Sequence, residues 1–494
     1  MLKSKLNLLL ISLLLSCSQQ ALSQGESQSS GASSNSVESV GNGLKSQVQS
    51  ILKIVAKAEE SSNTAGRFTG QEDVLSARNG AKEELDAAVR DSERKLSAMG
   101  PRIIPYLLDY LNDRHAQVQN ICSKVLTKFG KEAVMPLLKH AEESSAPNVY
   151  GARYYNNHRF VQILQSIGPD SFAELTKTLN SKSEDDRAMA AQLLGDMSQY
   201  CQPSNEESPV MPSSAVDALC KACLNDDSAR VRELSALALG RIGPRNSAVA
   251  EALTRTLKQD NEPKVRRKCV TALGQVAAKL SEEPAQDIAK TLCNSLANDE
   301  YEGVRISAAT ALGQIKSAGD IAVPALTKAL KDPVLDVKTQ AINALCNFGP
   351  KAAVAVPDLL KDLNEQATAR EAQNAVRLLA RIGPPAAPAI PMLVKMASGI
   401  RPEEQYLQVS FAQAFAAIGP KALPAVPLLI EMLSSSDYSV KREAIHAIGA
   451  IGPAAHAAEN ALKELAERDA NLKQEAINTL LLLKKSAHPN LVET

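Results

Sequence analysis

Cys220 and Cys223 stand in the segment LCKACL, a Cys-x-x-Cys spacing that can serve both zinc ligation and thiol exchange. Zinc needs two further ligands, and no second Cys or His pair lies nearby at ligand spacing. Cys223 also falls where Leu330 falls in a related segment, so the pair reads as small core residues. The six histidines, His115, His140, His158, His446, His456 and His488, are scattered. There is no glycine-rich phosphate loop, no G-x-S-x-G turn and no H-E-x-x-H pair. The expectation is a chain without a catalytic centre, metal or cofactor. The residues with chemistry to offer are of the binding kind. NVYGARYYNNHRF, residues 148–160, gathers Tyr150, Arg153, Tyr154, Tyr155, His158 and Arg159. Tyr and Arg dominate binding hot spots. An aromatic plug repairing an irregular joint accounts for the same cluster.

A recurring phrase positions these residues. It reads VRELSALALGRIG from Val231, VRRKCVTALGQVA from Val265, VRISAATALGQIK from Val304, VKTQAINALCNFG from Val337 and VKREAIHAIGAIG from Val440; the first four starts differ by 34, 39 and 33 residues. Such a period predicts stacked helix pairs, each covering the apolar flank of the next. About eleven pairs are expected over 101–485. Their second helices end near Gly130, Gly168, Ser198, Gly243, Ala277, Lys316, Gly349, Gly383, Gly419, Gly452 and Lys484. First helices are expected from Ile321 and from Pro424. Ile-Gly-Pro closes the second helix at Gly383 and Gly419, where glycine can turn left-handed and proline prevents continuation.

With the basic residue of the phrase as position zero, positions −1, +3, +6, +7 and +10 are apolar or small and form a buried stripe. Positions +2, +5 and +9 share another face. They are Lys268, Thr271 and Gln275, then Ser307, Thr310 and Gln314, then Gln340, Asn343 and Asn347, then Asn374, Arg377 and Arg381, with Glu443 and His446 further on. This is either a solvated helix face or a long polar groove for a protein or peptide. An Asp lies six places before the basic residue at Asp226, Asp260, Asp299 and Asp332. These pairs are expected to form a register-fixing ladder of exposed ion pairs, each contributing about 0–1 kcal/mol. The pattern lapses at Gln119, Asn157, Ala372 and Gln408. Phe160 takes a small-residue slot, so packing must differ there.

Composition removes several functions. The 494 residues carry 55 basic and 55 acidic side chains, so no excess of positive charge favours nucleic acid. With no Trp and 3% aromatic content, platforms that stack sugars or bases are unsupported. Of eight cysteines, Cys122 and Cys269 fill the small +3 slot and Cys346 the +8 glycine slot, where a thiol acts as a small apolar group. Cys201, in the loop-like stretch 199–214, is the one placed to pair with Cys220.

The N-terminus reads as a targeting segment. Lys3 and Lys5 precede an apolar run, Leu6 to Leu15, that is too short to span a bilayer. Leu14-Leu15-Ser16-Cys17 resembles a bacterial lipoprotein lipobox. That resemblance implies cleavage before Cys17, lipidation of Cys17, and a membrane contact through the lipid rather than a transmembrane helix. Cleavage after Ser23, with simple secretion, and a retained anchor are the alternatives. In every case the body is expected outside the cytoplasm, on the periplasmic face of a membrane or secreted. The expected organisation is 1–17 signal, 18–43 a Ser/Gly-rich tether too poor in apolar residues to order itself, 44–100 capping helices, 101–485 the repeat array and 486–494 a tail.

The repeat phrase resembles the HEAT-repeat superfamily in its short bacterial, phycobilin-lyase-like form. The resemblance implies an all-α fold, a right-handed α-solenoid whose second helices line the concave side. It implies a scaffold for protein or peptide partners, with chromophore attachment or a structural place in an envelope assembly as alternatives.

Overall fold

The computed structural model describes residues 34–65, 73–143, 152–199, 211–244, 247–362, 369–401 and 403–484. Among them the fold is all-α, with no strand. Two long helices come first, α1 (Ser34–Ala65) and α2 (Asp73–Ala98). Eleven helix pairs follow. They are α3 (Ile104–Leu108) with α4 (Ala116–Lys128), α5 (Lys131–Glu143) with α6 (Ala152–Ile167), α7 (Pro169–Thr178) with α8 (Glu184–Ser198), and α9 (Ser213–Asn225) with α10 (Ala229–Ile242). Next come α11 (Ser247–Gln259) with α12 (Pro263–Ala277), α13 (Glu282–Asn298) with α14 (Glu302–Gln314), and α15 (Gly319–Ala329) with α16 (Leu335–Cys346). The last four are α17 (Val356–Asp362) with α18 (Ala369–Ile382), α19 (Ile390–Ser398) with α20 (Gln405–Ile418), α21 (Val426–Met432) with α22 (Tyr438–Ile451), and α23 (Glu459–Arg468) with α24 (Lys473–Lys484).

The chain divides into two units, Met1–Ile163 and Leu164–Thr494. In the first, α1 and α2 pack on each other and both pack on α4. Helix α1 begins at Ser34, so 34–42, assigned by composition to the tether, is helical. The amphipathic face from Leu44 onward nucleates the helix, and extending it costs far less than starting it. Glu59 on α1 then serves α4: its carboxylate accepts the N–H groups of Ala116 (3.1 Å) and Gln117 (2.9 Å) at that helix's first turn.

In the second unit each second helix packs on the next, from α8 through α10, α12, α14, α16, α18, α20 and α22 to α24, which makes it an α-solenoid. The stripe read from the phrase forms the core. In α12, Val265, Cys269, Ala272 and Leu273 are buried, and in α14 so are Val304, Ala308, Ala311 and Leu312. Burying each larger apolar side chain contributes about 1.5–3 kcal/mol. Gly383 ends α18 at φ +75° and Gly419 ends α20 at φ +73°, as the Ile-Gly-Pro segments require.

The first helix expected from Pro424 is present, its α-helical part starting at Val426. Residues Gly419–Ala425 form a 3-10 turn before it. Pro424 and Pro427 lack the N–H groups a continuous helix would use, so the chain changes winding where those bonds are missing. The stretch Gln405–Met432 is long and apolar enough for a membrane span by composition, but it is this bent pair of core helices and half of it is buried.

Candidate functional site

The basic residue of the phrase is a double clamp. Arg266 donates from Nη1 to the carbonyls of Asp260 and Asn261 in its own inter-helix turn (both 3.1 Å). Its Nε and Nη2 grip the Asp299 carboxylate of the next pair (both 2.8 Å). The same geometry recurs from Arg187 to Asp226 (2.8 and 2.9 Å), Arg232 to Asp260 (2.6 and 3.0 Å) and Arg305 to Asp332 (2.8 and 3.0 Å). Each Asp also closes its own turn; Asp299 Oδ1, for example, accepts the Tyr301 N–H at 3.0 Å.

The pairs therefore join neighbours, and they are not the exposed pairs expected from sequence. The Arg266 and Asp299 side chains retain 17% and 9% of their exposure. Burial raises the Asp332 carboxyl, yet hydrogen bonds from Arg305 and the Val334 N–H bring it below its ordinary value. At a lapse, Gln119 takes over half the role. It donates to the Asp113 carbonyl and accepts from Arg159 Nη2 at 2.6 Å. A rung that the six-residue rule misses, Lys441 to Asp469 at 2.6 Å, joins the last two pairs.

Glycine at +8 sets the helix spacing at the same four junctions. A Cβ on Gly195 would lie 2.8 Å from Ala238, on Gly240 2.8 Å from Ala272, on Gly274 2.7 Å from Ala311, and on Gly313 2.8 Å from Ala344. The amide at +9 fills the remaining gap: Asn347 Nδ2 donates to the Gly313 carbonyl at 3.2 Å. Gln275 and Gln314 also lie over glycines, with their amide oxygens near Gly240 and Gly274.

The predicted polar row thus lies along consecutive stacked helices, with its +9 edge engaged in the stack. Lys268 faces Glu233 (3.8 Å), and Thr271 bonds back to the Arg267 carbonyl (3.0 Å). Asn343 donates to Gln340 (3.3 Å) and accepts from Arg377. Arg241, which the row also contains, is paired with Asp196 of the preceding repeat. Gln314, Arg377 and Arg381 remain exposed.

Of the other cluster, Tyr150 lies outside the described residues. Arg153, Tyr154, Tyr155 and His158 fall on α6, but their side chains lie outside what is described. Phe160 is 2% exposed and meets His140 edge-on, with ring centres 5.9 Å apart. Its slot holds a large ring packed against a neighbouring helix. Cys17 and Cys201 also lie outside the described residues, as do the signal, the tail and most of the loop before α9.

Cys220 and Cys223 are buried on α9. Burial pushes the Cys220 and Cys122 thiols up to about 12, far from the thiolate that exchange or zinc requires, while the contact with Cys269 draws Cys223 the other way. Cys223 meets Thr256 at 3.5 Å, and contact with Cys223 together with burial holds the Cys269 thiol well above its ordinary value.

The repeated geometry agrees with what the chain resembles. The family model described as HEAT repeats matches residues 172–274, 216–291, 250–346, 289–373 and 390–481. Curated relatives include an eIF-2-alpha kinase activator GCN1 of Dictyostelium discoideum, 26% identical over 220 residues, which are 41% of this chain and 8% of that protein. The stalled ribosome sensor GCN1 of Homo sapiens is 27% identical over 184 residues, 34% of this chain and 7% of that protein. The chain thus spans less than a tenth of the length of these relatives. A solved structure of importin beta superposes with a TM-score of 0.53 at 14% identity, covering 91% of this chain and 69% of that one. It shares the fold. With the matched segments covering more than half of the sequence, the chain belongs to the HEAT-repeat family.

Proposed function

We propose that the protein is a non-catalytic scaffold that holds a protein or peptide partner along the polar row of its second helices. The observation that carries this reading is the row itself. Lys268, Gln275, Gln314, Gln340, Asn343, Asn347, Arg377 and Arg381 fall on one face of helices that stack in sequence order. A surface of amides and guanidinium groups can hydrogen-bond to an extended main chain wherever it lies, and repeats lengthen it without a new fold. The curated relatives bear the names of a kinase activator and a ribosome sensor, and the segment they share with this chain is too short a part of them to carry those activities across.

The scaffold is exported and tethered through a lipid on Cys17, a reading supported by Lys3, Lys5, the apolar run and the Leu-x-x-Cys segment. Two experiments test these claims. A photo-crosslinking residue placed at Gln314 in cells should capture a defined protein, while the same residue at exposed Lys484 should not; equal capture at both sites contradicts the row. Cys17→Ala should move the protein from the membrane to the soluble fraction, and unchanged fractionation contradicts the tether.

A further inference from the structure

Cations on the polar row of the second unit are treated in two ways. Arg241 is answered by Asp196 and Lys268 by Glu233, each an acid one repeat back. Arg377 and Arg381 on α18 are answered by no carboxylate among the described residues. Among the described residues Arg377 bonds to amide oxygens, those of Asn343 and of Asn374 (3.3 Å), and Arg381 is exposed. The two stand four residues apart, so they lie side by side on one helix face, a repulsive arrangement unless a counter-charge arrives. The preceding helix presents Asn343 and Asn347 at the same four-residue spacing. At this junction Cys346 stands in the +8 glycine position.

Resting on the partner-binding reading, we infer that Arg377 and Arg381, bordered by Asn343 and Asn347, form a carboxylate-reading site, and that the partner segment is an extended acidic peptide. In an extended chain, side chains two residues apart point the same way at about 6.5–7 Å. Residues four apart on a helix have Cβ atoms about 5–6 Å apart, and flexible arginine stems cover the difference. Two acidic residues separated by one other would therefore meet one guanidinium each. Each planar fork can bind its carboxylate through two parallel bonds, which the point charge of a lysine cannot do.

The test is fluorescence anisotropy on the full chain with three labelled peptides, alternating serine with glutamate, with glutamine or with phosphoserine. The glutamate peptide should bind about tenfold more tightly than the glutamine peptide at low salt, a preference that charge-assisted paired bonds can supply. Arg377→Gln/Arg381→Gln should abolish that preference with the circular dichroism spectrum unchanged, because neither side chain is buried. Arg377→Lys/Arg381→Lys should keep only part of it. Equal binding of the glutamate and glutamine peptides overturns the inference, as does a preference that survives in the double glutamine variant. Tighter binding of the phosphoserine peptide at matched net charge overturns the assignment to carboxylates. A chain that ignores all three peptides while still crosslinking a partner through Gln314 overturns this inference and leaves the partner-binding reading standing.

Discussion

Arg266 on α12 holds the carboxylate of Asp299, 33 residues later and one helix pair away, in two bonds of 2.8 Å, while its third nitrogen closes its own turn. One side chain thus fixes both the turn within a repeat and the spacing to the next. Removing Asp299 leaves a largely enclosed guanidinium without its counter-charge. Asp299→Ala should cost about 2–3 kcal/mol in urea unfolding followed by circular dichroism. Asp287→Ala, at the exposed pair with Lys290, should change stability by less than about 0.5 kcal/mol. Equal effects would remove the clamp from the account.

The glycine seam makes an opposite pair of predictions. A Cβ at Gly240 would meet the Ala272 backbone at 2.8 Å, whereas one at Gly80 on α2 meets nothing within 4 Å. Gly240→Ala should destabilise by about 1–3 kcal/mol through overpacking. Gly80→Ala should stabilise by up to about 1 kcal/mol through helix propensity. Thermal unfolding of both variants measures this, and a neutral Gly240→Ala contradicts close helix approach.

Phe160 occupies a slot that holds a small residue in most repeats, Phe411 being another ring at the same position. If the ring is a plug, restoring the common residue harms the protein. Phe160→Ala should lose about 3–5 kcal/mol, since a ring that is 2% exposed leaves a cavity behind. An unchanged melting curve would free Phe160 for a role in binding.

His115 ties α1 to the first pair and gives a pH signature. Its Nε2 meets Glu60 at 3.1 Å and its Nδ1 meets Asp113 at 2.7 Å, and Arg114 also reaches Glu60 at 2.9 Å. The hydrogen bonds to Glu60 and Asp113 raise His115, and the bond from His115 lowers Glu60. A raised histidine contributes stability fully present below its ordinary value and lost as pH rises through the folded value. A lowered glutamate contributes stability present above its ordinary value and lost as pH falls through the folded one. The contact should be firmest at about pH 5–6 and loosen above neutrality. Hydrogen exchange in α1, corrected for intrinsic rates, should show this, and His115→Phe should erase the alkaline limb. An alkaline limb that persists in the variant rules the histidine out.

The phrase made the helix pairs, their buried stripe and their glycine ends legible, because these follow from local spacing. The clamp was legible only in part. Asp226 and Arg232 are six residues apart in sequence, but the carboxylate of Asp226 serves Arg187 and only its carbonyl serves Arg232. Which of two equivalent repeats supplies a partner is a property of stacking, which spacing within one repeat does not contain. Asp469 escaped notice for the same reason: its cation, Lys441, belongs to the preceding pair. The polar row showed its periodicity but not its edge. That Asn347 bonds the Gly313 carbonyl follows from how closely two helices approach. That Arg377 and Arg381 meet no carboxylate among the described residues likewise appears only when the acids near Arg241 and Lys268 are placed beside them.

In the second unit each helix pair depends on its immediate neighbours. Hydrogen exchange on a chain ending at Gly452, without α23 and α24, tests it most directly. The account predicts lost protection in α21 and α22, which contact the missing pair, with α8 through α16 protected as before. Collapse of protection throughout Leu164–Thr494 would contradict it.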